Sequence, residues 1–227
     1  DILFPIADFY LKKERWNEAI EVYEEMETIG ALQGRGAEYY QKLGYALQKN
    51  KKYAEAIDAY LKADTLKPDN IWNNRHLAIC YRLNRNYQAA LSYYKKVEEA
   101  TPEDTNVIFH IGSCLAELGQ YEEAANYFFK LDFIESNCIK AWRGIGWCSF
   151  ISRKYEQAMK YYEKIIEQKP LAIDYMNAGH VAWTMGDIQK AAALYGKSIT
   201  ANGNRERFLE MFRKDKEALL KQGIQEE

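Results

Sequence analysis

Residues 87–102 read YQAALSYYKKVEEATP, and this stretch decides the fold because its pattern recurs along the chain. An aromatic residue is followed by an alanine three positions later and by a second aromatic residue four positions after that, here Tyr87, Ala90 and Tyr94. These spacings place the three side chains on one face of a helix. Because proline cannot continue a helix, the segment predicts a helix that ends before Pro102.

The pattern occurs five times in full and a sixth time in a weaker form, with Ile188 in place of the first aromatic residue. Its copies are Trp16–Ala19–Tyr23, Tyr53–Ala56–Tyr60, Tyr87–Ala90–Tyr94, Tyr121–Ala124–Phe128, Tyr155–Ala158–Tyr162 and Ile188–Ala191–Tyr195. The alanines are separated by 37, 34, 34, 34 and 33 residues, and this near-constant step indicates a structural repeat.

Each repeat also holds a second apolar pattern, of which Ile108, Ile111 and Leu115 are an example, so each repeat is predicted to contain two helices. Gly119 is typical of the turn that ends a first helix, as is Gly186. The pair Asp104-Thr105 predicts the start of one, with a short polar side chain as N-cap.

These features resemble the tetratricopeptide repeat family, whose repeat is 34 residues long. The resemblance implies an all-α, right-handed superhelical solenoid of antiparallel helix pairs. The repeats would span residues 1–33, 37–70, 71–104, 105–138, 139–171 and 172–204, followed by a C-terminal solvating helix and tail at 205–227. Ser136 and Gly203 stand where the family usually has proline.

Packing inside this fold follows from small and aromatic residues at fixed repeat positions. Glycines such as Gly112 allow the two helices of a repeat to approach closely, and aromatic residues such as Phe128 are expected to fill the space between repeats. Pro5 predicts a short first helix. Because the chain begins at Asp1 without a methionine, we expect it to be a fragment or a processed product.

Composition excludes several classes of function. With 28% charged residues and 4 prolines the chain is not disordered, and a net charge of −2 argues against nucleic acid as a partner. No apolar run approaches the roughly 20 residues that span a bilayer. Four cysteines without C-x-x-C spacing favour a reducing, cytoplasmic compartment.

Catalytic and metal chemistry are not expected either. His76 and His110 share one repeat position, but adjacent repeats lie about 10 Å apart, too far for a shared metal ion. Cys80, Cys114 and Cys148 recur with the repeat, as small apolar residues do. No nucleophile or phosphate-binding motif is present, so we predict a protein that is not an enzyme and has no cofactor.

In the family, repeat positions 2, 5, 9 and 12 of the first helices point into the concave groove. The resemblance therefore implies a peptide-binding site made of Tyr45, Trp72, Arg75, Arg82, Asn106, Phe109, Lys140, Arg143, Trp147, Met176, His180 and Trp183. From the third to the sixth repeat this stripe carries four cations and no anion, with aromatic residues beside them. Exposed aromatic residues of this kind favour a binding surface.

We therefore predict a protein–protein interaction scaffold that binds an acidic peptide or helical segment with an apolar anchor. Arg75 and Arg143 lie outside the predicted core, so charge reversal at both should abolish binding and leave the fold intact. The family's clamp for chaperone C-terminal carboxylates is not expected, because Gly144 stands where that clamp needs a cation. Two alternatives stay open: a regulatory or assembly domain of a longer protein, and a nucleic-acid or glycan carrier.

Overall fold

The computed structural model describes residues 2–30 and 34–223, and this part of the chain forms thirteen α-helices and no strand. The first helices of the six pairs are α1 Leu3–Lys12, α3 Gly36–Lys49, α5 Ile71–Leu83, α7 Thr105–Glu117, α9 Ile139–Ile151 and α11 Ala172–Thr184. The second helices are α2 Trp16–Thr28, α4 Tyr53–Leu66, α6 Tyr87–Ala100, α8 Tyr121–Ile134, α10 Tyr155–Ile166 and α12 Ile188–Asn202. A last helix, α13, spans Arg205–Lys221. The predicted all-α repeat architecture is confirmed.

The chain forms two compact units, Asp1–Val107 and Ile108–Glu227, which we call the N-terminal and the C-terminal unit. In the N-terminal unit α1, α3 and α5 each pack on the second helix of their pair, while α2 packs on α3 and α4 on α5. In the C-terminal unit α9 packs on α10 and α11 packs on α12. Neighbouring repeats are in contact through α8 with α9 and through α10 with α11. Helix α13 packs on α12 and also on α11.

The turn between the two helices of a pair has the same backbone conformation in every repeat. One residue with positive φ stands at each of these turns: Glu14, Lys51, Arg85, Gly119, Arg153 and Gly186. The predicted turns at the two glycines are confirmed. The other four turns hold a left-handed non-glycine residue, which sequence reasoning did not single out.

Both predictions about helix starts are confirmed. The Asp104 carboxylate accepts hydrogen bonds from the backbone N–H groups of Asn106 and Val107, at 3.0 and 3.1 Å, and α7 begins directly after it. Helix α1 is the shortest of the thirteen described, at 10 residues, and Pro5 lies in its first turn. A proline there costs no internal helix hydrogen bond.

Glycines of the first helices receive the aromatic rings of the second helices of the same pair. A Cβ atom at Gly44 would lie 2.8 Å from the Tyr60 ring, and one at Gly179 would lie 2.5 Å from the Tyr195 ring. These rings therefore also fill space within a repeat, beyond the expected space between repeats. Phe128 does both, since its ring also lies 2.5 Å from the position of a Cβ at Gly144 in the next repeat.

Candidate functional site

The first-helix face of the N-terminal unit carries an exposed tryptophan on an aromatic base. Trp72 is 43% exposed. Its ring centroid lies 4.0 Å from that of His76, 6.0 Å from that of Tyr60 and 6.3 Å from that of Tyr45. We call these four residues the aromatic cluster. It joins three helices, α3, α4 and α5, and therefore holds the indole in a fixed position while one side stays open to solvent.

Hydrogen bonds to Gln48 and the burial of the imidazole determine the protonation state of His76 in the aromatic cluster. His76 Nδ1 lies 2.7 Å from Gln48 Oε1, and the Tyr60 hydroxyl donates to the same oxygen at 3.0 Å. Burial lowers the pKa of His76 to about 4, and the nearby charges of Lys49 and Arg75 act in the same direction. The imidazole is therefore neutral near pH 7, with Nδ1–H as the donor to the amide oxygen.

The two predicted cations of the N-terminal unit, Arg75 and Arg82, contact oxygen atoms of other side chains. Arg75 Nη2 lies 2.8 Å from Asp104 Oδ2, and both side chains remain partly exposed. Arg82 Nε donates to the Tyr94 hydroxyl at 3.4 Å. Asn106 is exposed at the start of α7. In this unit Arg82 therefore contacts a neutral oxygen, the Tyr94 hydroxyl, whereas Arg75 contacts a carboxylate.

One cation of the C-terminal unit, Arg143, is paired more firmly. Arg143 donates to both carboxylate oxygens of Asp174, from Nε at 2.7 Å and from Nη2 at 2.8 Å. The Asp174 side chain is 1% exposed and also accepts a hydrogen bond from the backbone N–H of Leu171 at 2.7 Å. Lys140 Nζ lies 3.3 Å from Glu135 and 5.7 Å from the Phe109 ring centroid.

These pairs correct two predictions. The stripe is not a row of unbalanced cations, because Arg75, Lys140 and Arg143 each have a carboxylate partner. The expectation that charge reversal at Arg143 leaves the fold intact does not fit the structure either, because Arg143 balances the charge of the buried Asp174. The four stripe positions do not include these anions: Asp174 lies on α11, the next first helix after α9, and Asp104 and Glu135 lie in the loops before α7 and α9.

Two predicted site residues of the C-terminal unit are buried. Met176 and His180 are both 0% exposed, so neither is open to a ligand in this structure, and the prediction for these two is wrong as stated. His180 Nδ1 lies 2.9 Å from the Tyr195 hydroxyl, and its Nε2 lies 3.4 Å from Asp215 Oδ2. The Phe212 ring centroid lies 5.1 Å from that of His180.

The remaining aromatic residues of this face are half-buried. Trp147 packs against Phe150 with ring centroids 5.7 Å apart. Trp183 lies 6.1 Å from Tyr195 and 6.4 Å from Phe212 by the same measure. Phe212 comes from α13, a contact that the repeat pattern did not predict.

The C-terminal unit also has a small cavity of about 220 Å³, lined by Glu122, Ala125, Asn126, Phe129, Cys148, Ser149, Ser152, Lys154 and Gln157. Burial raises the pKa of the Cys148 thiol to about 12, so it is a poor nucleophile at neutral pH. Across residues 2–30 and 34–223, no three or more side chains of His, Cys, Asp or Glu are grouped so that they would hold a metal ion. Nor does any helix in these ranges have the length and apolar character needed to cross a membrane.

Comparison with known families agrees with the paired helices. Models of the tetratricopeptide repeat match residues 3–33, 37–70, 82–148, 139–170 and 175–205. The chain belongs to the tetratricopeptide repeat family. No curated protein sequence matches this tetratricopeptide repeat chain.

Solved structures of tetratricopeptide repeat proteins have the same fold. A tetratricopeptide repeat protein from Parabacteroides merdae is 20% identical, with a TM-score of 0.70 over 98% of each chain. YrrB, described as a TPR protein with an unusual peptide-binding site, is 20% identical with a TM-score of 0.66, over 83% of this chain and 97% of its own. MamA from Desulfovibrio magneticus is 18% identical with a TM-score of 0.66, over 74% and 96%. At these identities the likeness shows the fold.

Proposed function

We propose that this tetratricopeptide repeat scaffold binds a peptide segment of a partner protein on the first-helix face of its N-terminal unit. The repeats themselves support a protein-interaction scaffold in general. The observation that carries the finer proposal is the exposed Trp72 on its aromatic base. That YrrB is described as having a peptide-binding site offers a precedent on the same fold.

Trp72 has the properties of an anchor residue at an interface. A large aromatic side chain that is already fixed loses little conformational entropy on binding, so more of its apolar contact contributes to affinity. Tyr45 and Tyr60 contact its ring, and the part-buried hydrogen bond between His76 and Gln48 holds the base of the cluster. An apolar side chain of the ligand would pack on the open side of the indole.

The charges beside Trp72 favour an acidic ligand. Arg75 and Arg82 follow on the same helix, and Lys49 Nζ lies 5.3 Å from the Tyr45 ring. Arg75 keeps donors for a second carboxylate, because a guanidinium has five N–H groups and Asp104 does not use them all. These cations would set the orientation of the peptide and speed its association, while the aromatic contact would supply most of the affinity.

Selection of peptides from a random display library on the full chain, followed by affinity measurement for individual peptides, tests this proposal. Trp72→Ala should weaken binding of the selected peptides by about 2 kcal/mol, roughly thirtyfold. Arg82→Glu should weaken the binding of acidic peptides and reduce the dependence of their affinity on salt concentration.

Phe133→Ala is the matched control, because Phe133 is 89% exposed on α8, a second helix of the C-terminal unit. It removes exposed aromatic surface without touching the aromatic cluster, so affinity should stay at the wild-type value. Selected peptides that bind the Trp72 and Phe133 variants equally well would show that the cluster is not the binding surface.

A further inference from the structure

Helix α13 contacts the sixth repeat through aromatic side chains. Its Phe208 and Phe212 lie 5.6 and 5.7 Å from the Tyr195 ring, between centroids. Phe212 also reaches His180 and Trp183 on α11, the helix whose exposed stripe was predicted to bind a ligand. The N-terminal part of α13 therefore covers the predicted binding stripe of this repeat as well as its end.

The far end of α13 reaches back to the fifth repeat. Arg153 Nη2 donates to the backbone carbonyl of Lys221 at 3.1 Å. The Tyr155 hydroxyl donates to Gln222 Oε1 at 2.8 Å, and Gln222 Nε2 donates to the Ile151 carbonyl at 3.2 Å. We call these three hydrogen bonds the latch. Ile151 ends α9 and Tyr155 begins α10, so α13 runs past α11 and is held one repeat earlier in the chain.

This course differs from that of a helix that simply continues the stack. A helix of 17 residues is about 25 Å long, enough to pass over two repeats at a helix spacing of about 10 Å. Arg153 places a positive charge at the carbonyl end of α13, which a helix dipole favours. The fifth repeat thus makes contacts that are specific to the C-terminal end of a helix lying on this face.

The contact side of α13 is a single stripe. Phe208, Phe212, Asp215 and Leu219 follow one another at steps of four, three and four residues, which places them on one helical face. Of the seventeen residues of α13, all of them described, Phe208 and Leu219 are the two that are buried. A helix held by so few buried side chains is among the parts of a protein that open most easily.

We propose that the surface beneath α13 is a second binding site, which takes an amphipathic helix of a partner protein and is occupied by α13 until that partner displaces it. The recognised helix carries an aromatic residue, a carboxylate three positions later and an aliphatic residue four positions after that, as Phe212, Asp215 and Leu219 do. The site concerns the C-terminal unit alone and goes beyond the peptide surface around Trp72. Either proposal can fail while the other stands.

Occupation by a covalently attached helix has a measurable consequence. A partner helix competes with a segment of high effective concentration, so its apparent affinity is its intrinsic affinity multiplied by the fraction of chains in which α13 is released. Weakening α13 in the chain should therefore strengthen binding of a helix added from outside. A surface with no affinity for a free helix would not show this effect.

The experiment uses the full chain and a fluorescent synthetic peptide of residues 204–223. A chain with Phe212→Ala and Asp215→Asn should bind the peptide at least about tenfold more tightly than the wild-type chain, measured by fluorescence polarisation. The peptide carrying the same two changes should bind neither chain. Gln222→Ala in the chain removes two latch hydrogen bonds and should give a smaller increase.

Glu210→Gln is the matched control, because Glu210 is an exposed carboxylate on the same helix. It should leave peptide affinity at the wild-type value. If the double variant loses its helical circular dichroism, Gln222→Ala decides the question. Equal peptide affinity for the wild-type chain and the folded variants, no binding to any of them, or a wild-type chain that is a dimer with exchanged α13 would overturn the proposal.

Discussion

The two units present the same repeat face in opposite states. In the N-terminal unit Trp72 is 43% exposed on its aromatic base, whereas in the C-terminal unit His180, at the corresponding stripe, is 0% exposed beneath Phe212 and Asp215. Both faces are built from the same helix pairs. The comparison teaches that the repeat determines which helix face carries the stripe, and that a helix outside the repeat covers part of that stripe in the C-terminal unit.

The ion pairs Arg75–Asp104 and Arg143–Asp174 differ in the same sense. Asp104 in the N-terminal unit is 24% exposed in its side chain, and its pair with Arg75 is open to water. Asp174 in the C-terminal unit is 1% exposed and depends on Arg143 to balance its charge. A pair of the first kind contributes little to stability, but loss of one partner from the second kind leaves a buried charge.

The largest expected effect separates these two arginines. Arg143→Ala should lower the free energy of unfolding by about 3 kcal/mol, because Asp174 would stay buried without a cation. Arg75→Ala should lower it by about 1 kcal/mol or less. Urea unfolding followed by circular dichroism measures both. Equal losses would mean that the two pairs are equally solvated, which would contradict the different exposure of Asp104 and Asp174.

The next effect tests how tightly the two helices of a repeat pack in the C-terminal unit. Gly179→Ala should cost about 1–3 kcal/mol, because its Cβ would lie 2.5 Å from the Tyr195 ring that supports His180. Gly196→Ala in α12 is the control: a Cβ there meets nothing within 4 Å, so the better helix propensity should stabilise by up to about 1 kcal/mol. Thermal melts of the two variants should shift in opposite directions.

A smaller effect concerns pH and the N-terminal unit. His76 has a pKa lowered to about 4 in the folded chain, against about 6.5 when unfolded. Between these values the unfolded chain binds more protons, so this residue's contribution to stability falls as pH falls. His76→Gln should remove that part of the slope between pH 7 and pH 5. An NMR titration that finds the His76 pKa near 6.5 would contradict the buried, neutral imidazole.

Much of the fold follows from short-range pattern. The aromatic-alanine-aromatic spacing predicts the second helices, and Asp104 predicts the start of α7, because each depends on residues within a few positions of one another. The same logic predicts that residues 205–222 form an amphipathic helix. It does not predict which surface that helix covers, since the latch joins residues 67 to 71 positions apart.

The candidate site was harder to predict for the same reason. Asp174 lies 31 positions after Arg143, so its pairing depends on how neighbouring repeats pack and not on either helix alone. A usable signal was present: Lys42 and Asp8, 34 positions apart, also form an ion pair. In such chains, opposite charges separated by about one repeat length indicate ion pairs between neighbouring repeats. The exposure of Trp72 was predictable from its stripe position, but the burial of His180 was not.

Hydroxyl-radical footprinting with mass spectrometry tests the contrast between an open and an occupied face most directly. In the wild-type chain Trp72 should be oxidised readily while His180 is protected. In the chain with Phe212→Ala and Asp215→Asn, oxidation of Trp183 and His180 should rise several-fold and that of Trp72 should not change. A folded variant in which Trp183 and His180 react no faster than in the wild-type chain would contradict the account.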